Sequence, residues 1–513
     1  MSFGPPPSIY TQSALTAEQQ QGRRRRKRLL GGLSVVLALA LSAGGWLVLR
    51  GGDGPGPDDP KAAAATGGGR LDVRETVEKR PANQRGVMGF RFSADDMAPG
   101  ERHEMPGTWA TDKILAKGIN RTLIGFGIGK DVAVGDEEWK LRLDGPICGV
   151  TRDVTGENRT AVLSRESEDA AALCNQVVFV DLDDGTKVWQ REAPVSGLGT
   201  GKGGPKESGG SQDTPGVALT HGTVAVTWGG GTDAFAMDTG KPRWSVESDS
   251  ADKCEHHGAV GGTGLVVRLQ CWTGDTYDSL TYKVRGLDPD TGATRWTYKL
   301  DVGIQDVRVL SAEPAVLAVA AADIGITHIL ALDEKGKHRT TITLAKDAYV
   351  AECASETDLL ATGDCPTVVV GDGQVFLTTS EQGDTIHNYN WIVGFDLKTG
   401  RTTEKFESGR NALLHPLRMS GGKLLALRDS SDHITPMGLV SLDPRTGGET
   451  TYLYFDLPTE GWTLTSTELA DIVVESGRVF FAAKSASAPD NGDGSKSWVW
   501  LTVGIEPDAA RKR

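Results

Sequence analysis

The feature that most constrains this chain is a hairpin written over and over along its length. VFVDLDDGTKVW runs from Val178 to Trp189, AFAMDTGKPRW from Ala234 to Trp244 and VRGLDPDTGATRW from Val284 to Trp296. Looser copies begin at Ile329 (ILALDEKGKHRT), Ile392 (IVGFDLKTGRTTEKF) and Leu439 (LVSLDPRTGGETTYL). An earlier one, VAVGDEEW, ends at Trp139, and a last strand, WVWLTVG, starts at Trp498. Each copy is an alternating apolar strand that ends at Asp, a tight turn and a second strand. Gly supplies the positive φ of the turn, and Asp and Thr side chains can bond its backbone. Upstream of most copies lies another alternating pair, such as GVALTHGTVAVTW from Gly216 or VVVGDGQVFLTT from Val368. Four strands per unit, with turn aspartates 45 to 63 residues apart, describe an all-β propeller blade.

Trp139, Trp189, Trp244 and Trp296 stand at a fixed place in their units. An indole is large enough to fill the gap between adjacent sheets, and its N–H can reach a backbone carbonyl. These motifs resemble the tryptophan-docking repeats of the pyrroloquinoline quinone (PQQ)-like β-propellers, a group within the WD40/quinoprotein-like architecture, over about residues 105–506. The resemblance covers both quinoprotein dehydrogenases and BamB-type assembly scaffolds, so it implies a fold and leaves the activity open. Hairpins near Asp136, Asp181, Met237, Asp288, Asp333, Asp396, Asp443 and Glu506 predict eight four-stranded blades. The count is seven if the hairpin at Trp139 itself completes the last blade. The eighth hairpin lacks an outer strand, and Thr108–Ile114 (TWATDKI) is the expected donor that closes the ring.

Charge divides the chain. Seven basic residues against Glu18 give residues 1–50 a charge of +6, which leaves −19 of the total −13 for residues 51–513. So acidic a body repels phosphate backbones, which sets nucleic acid aside as a partner. Residues 1–28 read as a disordered tail that ends in the basic block Arg23–Arg28. Leu29 to Leu49 carries no charge and is long enough to cross a hydrocarbon core of ~30 Å as a helix. The basic block places the N-terminus in the cytoplasm and the body outside, a single-pass signal-anchor at the cell membrane. The alternatives are a cleaved leader, with small residues near Ala43 at the cut, or twin-arginine export. Residues 50–82, Gly/Pro/Ala-rich at first, read as a flexible stalk, 83–507 as the propeller and 508–513 as a basic tail.

The six cysteines, Cys148, Cys174, Cys254, Cys271, Cys353 and Cys365, allow fifteen pairings. They fall in three well-separated pairs, each inside one expected blade, as suits disulfides in an oxidising space. A metal reading of Cys254 with His256 and His257 fails if Cys254 is bonded to Cys271.

Chemistry is harder to find. The resemblance to quinoproteins implies a vicinal Cys-Cys disulfide, a stacking Trp and carboxylates with an Asn around calcium, and no Cys-Cys pair occurs. Gly199-x-Gly201-x-x-Gly204 lies in a Gly/Ser-rich loop with no helix after it, so it is no dinucleotide site. Asp490–Ser495 is out of phase with a calcium loop. No catalytic, cofactor or metal residue is assigned. The expectation is a non-enzymatic scaffold or envelope sensor that binds a protein or cell-envelope partner, with a PQQ- or calcium-dependent oxidoreductase as the alternative. Insertions at 196–216, 251–278, 381–391 and 485–497 are the candidate binding loops, with Tyr277, His387, Tyr389, Trp391 and Trp498 as contacts.

Overall fold

The computed structural model describes residues 69–508 apart from 130–134, 170, 196–214, 249–252, 273–279, 322–324, 345–347, 354–362, 385–386 and 489–495. The expected tail, membrane segment 29–49 and C-terminal residues 509–513 lie outside the described residues. Among the described residues no helix is long and apolar enough to cross a membrane.

Eight antiparallel sheets follow one another as blades. Blades 1 to 5 span Thr108–Arg142, Ile147–Glu192, Gly216–Glu247, Cys254–Lys299 and Ile304–Thr343. Blade 6 spans Tyr349–Glu407 and has a fifth strand, because Tyr349–Val350 and Val368–Gly371 both pair with Gln374–Thr379. Blade 7 spans Ala412–Phe455. Blade 8 joins Ala470–Glu475, Arg478–Ala483 and Ser497–Pro507 to Gly86–Met97. The ring therefore closes with a strand from the N-terminal side, but not with the expected one. Thr108–Ala110 is the innermost strand of blade 1 and is buried throughout, with no alternation of the kind an outer strand shows. The outer position goes instead to Gly86–Met97, which is for the most part half-buried.

Among the described residues, eight of nine apolar clusters each straddle one pair of neighbouring blades. Val162 and Val178 of blade 2 meet Leu123 of blade 1; Val224 of blade 3 meets Leu163 of blade 2. The series continues round to Phe480 of blade 8, which packs against Leu115 and Phe126 of blade 1. Strands in the middle of a blade, such as Thr223–Trp228 of blade 3, are buried along their whole length because both faces touch a neighbouring sheet.

The repeat tryptophans reach across to the next blade. Trp139 donates its indole N–H to the Leu182 carbonyl of the next blade at 3.0 Å. Trp189 bonds Met237 at 2.7 Å, and Trp244 bonds Pro289 at 2.9 Å. Each ring lies flat on the turn glycine of that next blade, so a Cβ at Gly240 would sit 2.6 Å from Trp189. Trp296 covers Gly336 in the same way. Position 240 needs glycine twice over, since its φ of +64° is also left-handed.

Candidate functional site: the axial channel and the insertion end

A four-stranded meander sorts its loops by end. The first-to-second and third-to-fourth turns of every blade lie at one end of the ring, here the turn end. Second-to-third loops and blade-to-blade connections lie at the other. The four long insertions are all bracketed by strand ends of this second kind: Glu192 and Gly216, Glu247 and Cys254 with Trp272 and Leu280, Thr379 and Trp391, Ala483 and Ser497. The three disulfides, Cys148–Cys174, Cys254–Cys271 and Cys353–Cys365, form at the same end in blades 2, 4 and 6.

The turn end is crossed by residues assigned to the stalk by sequence. Val73 bridges Thr155, the Arg74 N–H bonds the Val154 carbonyl at 2.8 Å, and the Gly222 N–H bonds the Leu71 carbonyl at 3.2 Å. The Glu78 carboxylate, its side chain fully buried, accepts from Arg418 at 2.8 Å, Ser476 N–H at 3.1 Å and Gly477 N–H at 2.7 Å. This strap, Arg70 to Arg80, is a fixed part of the propeller.

Against it lies an axial cavity of about 450 Å³. Its walls are the inner strands of blades 1, 7 and 8 with Arg152–Val154, Cys365 and Val368, and its floor is Val73–Thr76 of the strap. Ion pairs cross it. Arg152 reaches Asp364 at 2.6 Å and Asp471 at 3.5 Å. Lys117 donates to the Met105 carbonyl at 2.7 Å and the Thr108 hydroxyl at 2.8 Å, and stands 3.8 Å from Asp471. Arg74 lies 3.3 Å from Glu475. Burial lowers the Lys117 ammonium to about 8, against the opposing pull of Asp471. Burial also works against ionisation of Asp471, but Lys117, Arg152 and Lys484 together hold it below the usual carboxylate range. Glu475 stays raised by burial despite Arg74, and burial lifts Asp153 to about 6.

Sequence reasoning missed these axial groups. One trace was present: Asp471 and Glu475 share a face of the otherwise apolar strand ADIVVE. Of the expected contacts, Tyr277 lies outside the described residues. His387 pairs with Asp384 at 3.0 Å. Tyr389 meets Trp391 edge to face at 5.6 Å, with the Lys405 ammonium 3.5 Å from the Trp391 ring. Trp498, 44% exposed, stacks edge to face on Trp500 beside Arg91. These groups stand on blades 6 and 8 at the insertion end and form two clusters rather than one site.

A quinone with calcium does not fit the axial residues. All six cysteines are in disulfides between non-adjacent positions. The axial carboxylates Asp364, Asp471 and Glu475 already face Arg152, Lys117, Lys484 and Arg74, and no group of three possible metal ligands occurs among the described residues. Trp109, the axial indole, is packed away with its N–H on the Thr151 carbonyl at 2.8 Å. The Cys254–His256 pair offers no metal site either: the thiol is bonded, and His256 Nδ1 shares a 2.8 Å hydrogen bond with the Thr232 hydroxyl.

Among solved structures the chain is similar to BamB from Moraxella catarrhalis, at 11% identity and TM-score 0.40, over 82% of this chain and 99% of that one. It is similar to the quinohemoprotein alcohol dehydrogenase ADHIIG from Pseudomonas putida HK5, at 10% and 0.45, over 86% and 79%. It is also similar to a europium-containing methanol dehydrogenase, at 11% and 0.42, over 84% and 95%. No curated protein matches. A family model described as outer membrane protein assembly factor BamB matches residues 174–447, more than half of the chain. With its docked tryptophans and closed eight-bladed ring, the chain belongs to this family of PQQ-like β-propellers.

Proposed function

We propose that this protein is a membrane-anchored, extracytoplasmic scaffold that offers the insertion end of its propeller to a protein or cell-envelope partner. One observation carries the reading. Every long insertion departs from the same end of the ring, while the opposite end has short turns and a strap. Loops freed from packing are where recognition resides. The exposed Trp498 and the half-buried Trp391 stand at that end, and large aromatics are common anchors of protein contacts. Three disulfides support an oxidising location, and the charge-free stretch 29–49 supplies the anchor. The oxidoreductase alternative is weakened by axial carboxylates that already have cationic partners.

Site-specific photo-crosslinking in living cells tests the reading. A benzophenone side chain at Trp391 or Trp498 is expected to trap one defined protein, and the same group at the exposed Lys398, on the turn end, is not. Equal trapping from both ends, or none from the insertion end, overturns it. A thermal shift that requires PQQ and calcium together would instead revive the oxidoreductase.

A further inference from the structure

The joint between blades 3 and 4 brings cations together without an acid. Directly paired strand positions point to the same face of a sheet, and the cluster of Ala218, Ala225, Leu265, Val267 and Leu287 marks the two faces that meet. On the blade 4 side, His256 pairs with Leu269, Leu269 with Lys283 and Lys283 with Lys299, while Val267 pairs with Arg285. All four polar residues therefore stand on the face turned to blade 3. On the blade 3 side, Thr227 pairs with Thr232 and Thr232 with Val246. Asp233 and Glu247 follow these residues directly and point the other way, as Glu255 does beside His256. Asp288 and Asp290, in the turn beyond, are taken by Arg295 and Arg243. Among the described strand positions, neither facing side holds a carboxylate.

Two nitrogen atoms in this joint have no protein partner. His256 is 1% exposed, and its Nδ1 lies 2.8 Å from the Thr232 hydroxyl, which lies 3.1 Å from the Thr227 hydroxyl. If Nδ1 were the donor, the Thr227 proton would have no acceptor at the end of the chain and Nε2 would be a bare lone pair. With Thr227 donating to Thr232 and Thr232 to Nδ1, every hydroxyl proton is used and the neutral ring carries its N–H on Nε2. That Nε2 is buried without a hydrogen-bond partner, and so is the Nε of Arg285. No ion pair among the described residues takes in the Arg285 guanidinium. Burial first, and then the Arg285 charge, hold His256 below its ordinary range, in keeping with two groups that share one space. N–H donors and a guanidinium withdrawn from water without an acceptor are costly, and an anion relieves both.

We propose that this joint binds a small monovalent anion, a halide or a carboxylate, held by the Nε2–H of His256 and the Nε–H of Arg285. The bond from Arg285 is charge-assisted, and its half-buried side chain leads from solvent to the site. Cys254 and Cys271 pair two positions before the His256 row, so the ion ties blade 3 to blade 4 just below that disulfide. The site stands whether or not the insertion end recruits a protein.

Thermal unfolding of the full chain at fixed ionic strength tests it. The probes are sodium chloride, bromide and acetate, each replacing sodium gluconate as a bulky reference salt. The small anions are expected to raise Tm saturably, as binding to the native state requires. Arg285→Gln is expected to weaken their apparent affinity by about tenfold or more. General screening at equal ionic strength acts alike on the variant and the natural protein. If Arg285→Gln does not fold, crystals of the natural protein soaked in bromide or bromoacetate must show bromine, by its anomalous scattering, in this joint beside His256 and Arg285. Halides tighter than acetate identify a spherical ion, and the reverse identifies a carboxylate; both support the site. A Tm that matches gluconate in every salt, an unchanged response in Arg285→Gln, or bromine absent from the joint in both soaks overturns it.

Discussion

At the residue scale, two kinds of position carry the most free energy per side chain. The docking tryptophans are the first. Trp189 is buried, stacks on Phe179 at 5.4 Å and closes on Gly240 of the next blade. Trp189→Phe keeps much of the packing and leaves the Met237 carbonyl without its donor, a loss of about 1–3 kcal/mol. Gly240→Ala adds a methyl group against the ring at a left-handed position and is expected to cost at least as much. Urea midpoints check both, and midpoints equal to that of the natural protein would refute the docking account. Buried titratable groups are the second kind. Asp153 is raised to about 6, so below its unfolded value the native state gains stability that is lost as pH rises towards 6. Burial, then Arg285 and His257, lower His256 to about 4, so its contribution runs the other way and is lost as pH falls from 6.5 towards 4. Two opposing slopes over nearly one window give a flat profile. Asp153→Asn removes one of them, and relative to the natural protein it should gain about 3 kcal/mol between pH 4 and 6. Denaturant curves at pH 4, 5 and 6 that keep a constant difference would count against this.

Elements show which parts of the fold local sequence can announce. Hairpins, the turn aspartates and the tryptophan offsets are legible because every interaction that makes them lies within one repeat or the next. Asp288 illustrates this: its Oδ1 takes the N–H groups of Asp290 and Thr291 and the Thr291 hydroxyl, all within three residues. The strap and the closing strand are not legible in that way. Arg70 to Arg80 has neither repeat nor clear period, and its docking rests on Glu78 meeting partners 340 residues and more away. Gly86–Met97 pairs with Ser497–Pro507, and only the finished ring brings these together. The axial charges were hidden for the same reason, since Asp153 and Asp471 come from different blades. The strap account predicts that Glu78→Gln leaves Arg418 without a full charge partner and loosens Arg70 to Arg80 by roughly 2–4 kcal/mol. Hydrogen exchange should accelerate at Arg74 and Gly477, whose N–H groups the docked strap protects, and stay unchanged in the inner strands of blades 3 and 4. Exchange that rises everywhere alike would mean that the strap is not a separate unit.

For the whole molecule, the question is what keeps a ring of eight similar sheets closed when so many of its contacts are local. Each blade packs on each neighbour through one apolar cluster, so the seam at blade 8 is no weaker in kind than any other joint, and Arg152 adds ion pairs across the axis from blade 2 to Asp364 and Asp471. Blades 2, 4 and 6 differ, because each carries a disulfide at the insertion end, with loops of 26, 17 and 12 residues. In the chain-entropy account each bond contributes about 3 kcal/mol by restricting the unfolded state, and the three together about 9. Domains are stable by only about 5–15 kcal/mol, so this sum is comparable with the whole margin. The reduced protein is therefore expected to unfold at a much lower urea concentration, or to fail to fold at all when made in a reducing compartment. Because the three loops are separate, paired Cys→Ser variants in blades 2, 4 and 6 should each lose a similar share, and the losses should add. An unchanged midpoint after full reduction would show that the blade-to-blade clusters alone keep the ring closed. It would also remove the stability argument for an oxidising location.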